Sequence, residues 1–228
     1  MSDLPAILLT LKLALTTSFI LMLIGIPLAW WLARKSNSSV ANNSKSFVEA
    51  IVALPLVLPP TVLGFYLLIL FSPDGWLGAN WIKLTGSTLA FSFSGLVIGS
   101  IIYSLPFVVQ PLQATFASIS EDLLEMSQSL GANKWQRIKR VILPLSKSGL
   151  ISAFSLGFAH TLGEFGVVLM IGGNIPNETR VVSIAIYDHV ETLQFNNAHQ
   201  LSLILIVFSL TLLTWLYRSK NNRVGFNQ

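Results

Sequence analysis

Cysteine is absent from the 228 residues, so no disulfide, thiolate metal site or thiol nucleophile is available. Charge is scarce as well. Asp, Glu, Lys and Arg make up 11% of the chain, against about 25% in soluble domains, while apolar residues make up 53%. That balance excludes a water-soluble globular domain. No Gly-x-x-x-x-Gly-Lys-Ser/Thr phosphate loop occurs, so if ATP drives this protein another subunit must hydrolyse it. The three histidines, His160, His189 and His199, have neither metal-ligand spacing nor a nucleophile beside them, which leaves an enzyme without a catalytic constellation. No basic region precedes the first apolar run, and that run is too long for the core of a cleaved signal peptide.

What is present is long apolar runs, and a helical span needs roughly 20 such residues. Five stretches qualify: about Leu4–Ala33, Phe47–Phe71, Leu89–Leu112, Ser148–Ile171 and Leu201–Tyr217. The expected fold is therefore all-α, a polytopic membrane protein of five transmembrane helices in a single domain, 1–228. The pI near 9.5 invites a nucleic-acid reading, but in a membrane protein basic charge marks cytoplasmic loops. Eleven of the 14 Lys and Arg fall on one side: Arg34, Lys35 and Lys45; Lys134, Arg137, Lys139, Arg140 and Lys147; Arg218, Lys220 and Arg223. Lys12, Lys83 and Arg180 are left for the other. The N-terminus is thus expected outside and the C-terminus in the cytoplasm, with no nucleic-acid partner. Trp30, Trp31, Trp76, Trp81 and Trp215 sit near span ends, as an interfacial aromatic belt would.

Pro55, Pro59 and Pro60 remove backbone donors from the second span, so it must kink or break where protein or a water-filled cavity satisfies the freed groups. These prolines are candidates for a translocation path, and Pro106 and Pro111 make a similar case for the third span. Gly95 and Gly99 form a small-xxx-small packing pair. After the fourth span, a turn at Gly172–Arg180 leads into Val182, Ile186, Val190 and Leu193 at helical spacing, which predicts an amphipathic helix at the outer face. Asp188 and Glu191 share a face of it and read as solvated rather than as a metal site.

One long polar insert remains, from Ser118 to Pro144. Ser118 with Glu121 predicts a capping box, and Glu121, Asp122 and Glu125 suit the positive end of a helix. Leu123, Ser127 and Leu130 share one face, Gly131 offers a left-handed cap, and Asn133 offers a new start. From there Trp135, Ile138, Val141 and Ile142 recur helically until Leu143-Pro144 stops or restarts the helix. The product is a bent, two-faced platform.

Glu125, then Gly131, then Val141-Ile142-Leu143-Pro144 resembles the loop signature of permease subunits of ABC importers, departing from it at Met126, Ser127 and Val141. Leu162-Gly163-Glu164-Phe165-Gly166, Gly173-Asn174-Ile175-Pro176, Glu178-Thr179-Arg180, Tyr187 and Leu54–Pro60 are similar to the molybdate branch of that family, so the likeness runs from about Leu8 to Tyr217. It implies a type I importer permease fold, with the loop at about 118–144 as the coupling helix that docks into a separate ATPase. Glu125, Gly131, Leu143 and Pro144 are the coupling residues on that basis, and the apolar face of the insert, Leu123, Leu130 and Trp135, is expected to supply the contacts with the ATPase. It also implies a homodimer, two ATPase subunits that bind ATP and Mg, and an extracytoplasmic binding protein, in the lipid of the inner membrane. The chain itself would hold no cofactor and no metal. Tungstate and sulfate remain alternative cargoes.

Glu164 is the single intramembrane acid, which makes it a functional candidate; a buried group paired with a neighbouring helix is the plainer reading. An ionised carboxylate 4 Å from an oxyanion repels it by about 4 kcal/mol at an effective dielectric of 20, so Glu164 must be protonated or cancelled by a cation. Lys12 lies at similar depth and is the candidate partner, in which case the pair shapes an outer gate. Otherwise Glu164 bonds to backbone donors freed near a proline kink. Two other classes stay open at this stage: a membrane-embedded enzyme using Glu164 and His160, and a scaffold or receptor that gates nothing.

Overall fold

The computed structural model describes the backbone of residues 3–34 and 39–224, and their side chains apart from 39, 41 and 215–224. Lys35 and the side chains of Trp215, Tyr217, Arg218, Lys220 and Arg223 therefore lie outside the described residues. Every regular element described is helical: α1 (Leu4–Ala33), α2 (Ser39–Val57), α3 (Pro60–Phe71), α4 (Trp76–Thr85), α5 (Phe93–Ala117), α6 (Glu121–Ser129), α7 (Lys134–Arg137), a π-helical turn (Ile138–Ile142), α8 (Leu143–Leu162), α9 (Gly166–Gly172), α10 (Val182–Glu191) and α11 (Phe195–Val224). Four stretches are long and apolar enough to cross a membrane, and the bent pair α2–α3 makes a fifth.

The central element is α5, packed against both α1 and α8. It carries two core clusters stacked along its length. One joins Leu13 of α1, Leu67 and Phe71 of α3, Leu96 and Val97 of α5, and Val167, Val168 and Ile171 of α9. The other joins Leu21, Ala29 and Leu32 of α1, Val52 of α2, Val108, Val109 and Leu112 of α5, and Ala153 of α8. Gly99 permits the close approach, since a Cβ there would meet Ile171 Cδ1 at 2.2 Å. Of the small-xxx-small pair Gly99 packs against another helix, whereas Gly95 makes room for Leu89 O in the turn that enters α5.

Proline acts differently in the two spans that contain it. In the second span the chain breaks between Val57 and Pro60, and α2 and α3 meet at 112°. Pro55 stays inside α2. In α5, by contrast, the helix runs unbroken through Pro106 and Pro111, enclosed by its neighbours. A single proline costs one helical hydrogen bond, whereas Pro59-Pro60 removes two consecutive donors where a new helix can start with its proline at N1.

Several expectations need correction. Ser118 does not cap the platform helix: it still belongs to the last turn of α5, where its hydroxyl donates to Thr115 O at 2.8 Å, and Ser120 is the N-cap residue of α6. Of the two outcomes open at Leu143-Pro144 the helix restarts, since α8 begins there with its proline in the first turn. The π-helical turn just before it lets Leu143 N–H donate to Ile138 O, a wider register that absorbs the missing donor at Pro144, so α7, the turn and α8 form one rod. The fourth run does not cross as one helix over Ser148–Ile171; it breaks at 163–165, between α8 and α9. Helix α4 lies in a connection where the sequence reading placed none. Finally, α10 forms where expected but buries Val182, Ala185 and His189, leaving Val190 and Leu193 exposed. Its buried side packs with Ala6 of α1 and Leu201 of α11, and Thr10 and Asp3 add polar ties to it.

Candidate functional site

Two places bring the chemistry-bearing residues together. The first is the hairpin of α6 and α7. Gly131 adopts φ +81°, its N–H donates to Gln128 O at 2.9 Å, and Ala132 N–H donates to Ser127 O at 3.1 Å. Those two bonds form a Schellman ending, which a residue with a Cβ accommodates poorly. Asn133 then opens α7 with a full capping box: Asn133 Oδ1 accepts from Gln136 N–H at 2.9 Å while Gln136 Oε1 accepts from Asn133 N–H at 3.0 Å. Leu124 and Ile142 turn into the core. Leu123, Met126, Leu130 and Trp135 do not: Leu130 is 86% exposed and Trp135 66%. Glu125, Leu143 and Pro144 are also exposed, Leu143 and Pro144 at the start of α8.

Arg34, counted in the sequence only as a topological charge, anchors this hairpin. Its guanidinium donates to Phe116 O and Ile119 O, each at 3.3 Å, and stacks 4.2 Å from the Trp30 ring. Lys45 Nζ in turn donates to Arg34 O. The signal that could have found Arg34 is the set of carbonyls left without partners where α5 ends.

The second place is where two helix breaks abut. Gly166, at the start of α9, lies so close to Pro60 that a Cβ on it would meet Pro60 Cβ at 2.7 Å, and a Cβ on Gly64 of α3 would meet Met170 Cβ at 2.7 Å. Pro60 thus reaches the site; Pro59 caps α3 beside it, and Pro55 remains a turn back in α2. Glu164 sits in the α8–α9 break, 4% exposed, with its backbone carbonyl accepting from Ser183 Oγ at 2.6 Å. Both of its carboxylate oxygens lack a hydrogen-bond partner. The Ser100 hydroxyl lies close to this carboxyl, outside hydrogen-bond geometry, and likewise has no partner among the described residues.

The expected Lys12–Glu164 pair is not formed. Lys12 lies on an exposed face with its ammonium 4.5 Å from the Phe93 ring centroid, while Glu164 is enclosed. Equal depth along two helices does not put two side chains on facing sides. Nor does the Glu164 carboxylate accept from backbone donors freed by a proline kink. His160 does not join Glu164 either: its Nδ1 meets Ser104 Oγ at 2.9 Å, and its ring stacks on Phe107 at 3.8 Å. Ser104 also meets Thr161 Oγ1 at 3.1 Å.

At the opposite end of α1 from the hairpin, the loop between α9 and α10 is tied down by polar groups. Thr179 Oγ1 donates to Gly172 O at 2.6 Å and accepts from Ile175 N–H at 3.1 Å. Arg180 pairs with Asp188 at 2.9 Å and lies 3.8 Å from Asp3, whose other oxygen is 3.0 Å from His189 Nε2. Thr10 Oγ1 accepts from Val182 N–H at 2.8 Å. Tyr187 donates to Glu191, which raises the phenol above its ordinary pKa. The acids of α10 thus serve local partners.

A family model for the binding-protein-dependent transport system inner membrane component matches residues 25–224. The chain belongs to this family. Its members are multi-pass transport components of the inner membrane rather than enzymes. The chain is 50% identical over 225 residues to the molybdenum transport system permease protein ModB of Azotobacter vinelandii, covering 99% of this chain and 97% of that one. It is 32% identical to ModB of Escherichia coli K12, covering 96% of each, and 31% identical to a probable sulfate transport system permease of Chlorella vulgaris, covering 90% of this chain and 75% of that one. Among solved structures, a chain of a bacterial alginate ABC transporter superposes with a TM-score of 0.74 at 19% identity, covering 95% of this chain and 77% of that one. A chain of the MetNI methionine ABC transporter gives 0.69 at 18% identity, covering 93% and 92%. These likenesses establish the type I importer permease fold.

Proposed function

We propose that this protein is the permease subunit of an ATP-driven molybdate importer, acting as a homodimer with two ATPase subunits on the cytoplasmic side and a substrate-binding protein outside. The observation that carries the cargo is the 50% identity to a molybdenum permease across nearly both whole chains, against 31% to a sulfate permease that it covers less fully. The N-terminus faces out and the hairpin faces the cytoplasm, where Arg34, Lys45 and the basic face of α7 gather. ATP and Mg belong to the partner ATPase.

The geometry supports a mechanical route. Leu123, Leu130 and Trp135 form the docking face, Gly131 sets its bend, and Glu125 is exposed on another side of α6. The rod of α7, the π-helical turn and α8 runs from that face to the break holding Glu164, and α8 alone spans about 30 Å at 1.5 Å per residue. Displacing the hairpin therefore displaces the junction of Glu164 with Pro60 at the other end, and alternating access follows from opening and closing it. Glu164 shapes this gate through its enclosed place where the two helix breaks abut, without contacting cargo.

The test is complementation. Expressed in cells that lack their own molybdate permease but retain its ATPase and binding protein, this chain should restore ATP-dependent uptake of radiolabelled molybdate, with sulfate in tenfold excess competing poorly. Uptake of sulfate in preference to molybdate would transfer the chain to the sulfate branch, and no uptake of either would reject the reading.

A further inference from the structure

Between α1, α5 and the hairpin lies a cavity of about 450 Å³, within the range of ligand sites. Its walls are apolar, chiefly Trp30, Phe116, Leu124 and Ile138, and Ile26 and Pro27 extend it into the span of α1. Two cations sit on its lining, Lys134 and Arg137, three residues apart and so on one side of α7. Arg137 is held toward the hairpin by Nη1 donating to Gln128 Oε1 at 3.1 Å. Neither cation has an acidic partner among the described residues, whereas nearby Arg34 feels Glu121.

The cavity thus runs from membrane depth, at Ile26, to the polar hairpin, and changes from apolar to cationic along the way. A small free anion would find nothing on the apolar walls and would lose hydration against them. An uncharged apolar side chain would leave two cations uncompensated. An amphiphile with an acyl chain and a phosphate satisfies both parts, and cations near the membrane surface attract anionic headgroups by about 1 kcal/mol each, roughly a fivefold preference.

We propose that this cavity binds one anionic phospholipid of the adjoining leaflet, with an acyl chain along Trp30, Phe116 and Leu124 and its phosphate between Lys134 and Arg137. The lipid would wedge between α1 and the base of the hairpin, at the point where Arg34 ties the two together. The site does not depend on which anion is transported.

Trp30 reports on the cavity directly. The full-length permease is placed in nanodiscs of phosphatidylcholine doped with either bromo-acyl phosphatidylglycerol or bromo-acyl phosphatidylcholine, and quenching of Trp30 is taken as the difference between the wild type and Trp30→Phe. The expected result is stronger quenching by the glycerol lipid, with an apparent preference of at least about fivefold, reduced to parity by Lys134→Gln with Arg137→Gln. The other five tryptophans should show no such change. Because both substituted lysine and arginine positions lie on the hairpin surface, circular dichroism should confirm an unchanged helix content. Equal quenching by the two lipids, or a preference that survives the double substitution, overturns the proposal. Loss of Trp30 quenching only when the ATPase is added would hand the cavity to a side chain of that partner and overturn it equally.

Discussion

At one end of the bundle Arg180, Asp188, Asp3 and His189 direct their polar groups at one another, Thr179 ties Gly172 O to Ile175 N–H, and α10 is fastened to α1 through Thr10. At the other, the α6–α7 hairpin satisfies its backbone with equal thoroughness, through the Schellman ending and the capping box, yet leaves Leu123, Met126, Leu130 and Trp135 uncovered. The hairpin's rigidity is thus internal while its apolar face is not. An ordered backbone carrying an unpartnered apolar face is the form of a docking element; an ordered loop with its polar groups mutually satisfied is the form of a fixed cover. On the proposed function the first acts on another chain and the second within this one.

The sharpest way to break this contrast uses two glycines. Gly131 in the hairpin and Gly86 after α4 both have positive φ, +81° and +74°, with open space where a Cβ would go. Valine at either position carries the same left-handed strain, about 1–2 kcal/mol. If the hairpin transmits motion, Gly131→Val should lower ATP-driven uptake by about tenfold or more while membrane insertion persists, and Gly86→Val should leave uptake near the wild-type level. Equal losses at both would reduce the contrast to general stability.

Thr179→Val attacks the fixed end. It leaves Ile175 N–H and Gly172 O without the hydroxyl, at a cost of about 1–3 kcal/mol, and should lower the unfolding temperature by several degrees without weakening ATPase co-purification. Arg34→Met should do the reverse in smaller measure. Removing donors from Phe116 O and Ile119 O is expected to cost about 1 kcal/mol and to weaken ATPase binding by a few fold, read by pull-down titration. The smallest expected effect is a coupling near zero between Lys12→Met and Glu164→Gln. Since the two groups are not paired, their effects on uptake and on folded yield should add to within about 0.5 kcal/mol. A double variant healthier than either single would restore the ion pair.

Much of this was legible in the sequence. The five apolar runs, the break at Pro59-Pro60 and the turn at Gly131 into Asn133 rest on hydropathy, missing donors and cap chemistry, all of which are local. The errors share a cause. Ser118, the face of α10 and the Lys12–Glu164 pair each depend on how a side chain is rotated about its helix or on what a neighbouring element supplies. The break at Gly163–Phe165 was hidden because a run rich in apolar residues reads as one span, and the close approach of Gly166 to Pro60 beside it appears only in the packing. Arg34 was visible as a charge but not as a cap, because its acceptors lie more than 80 positions away.

Because the chain has no cysteine, single cysteines can compare the two ends without background. Leu130→Cys in the hairpin and Leu193→Cys after α10 replace apolar residues of similar exposure, 86% and 74%. Each is treated in purified, detergent-solubilised permease with a water-soluble maleimide, with and without the ATPase. The account predicts that both label rapidly alone and that added ATPase slows labelling at Leu130→Cys by at least about tenfold while leaving Leu193→Cys unchanged. Undiminished labelling at Leu130→Cys in a complex shown to have formed would contradict the assignment of the hairpin as the docking face.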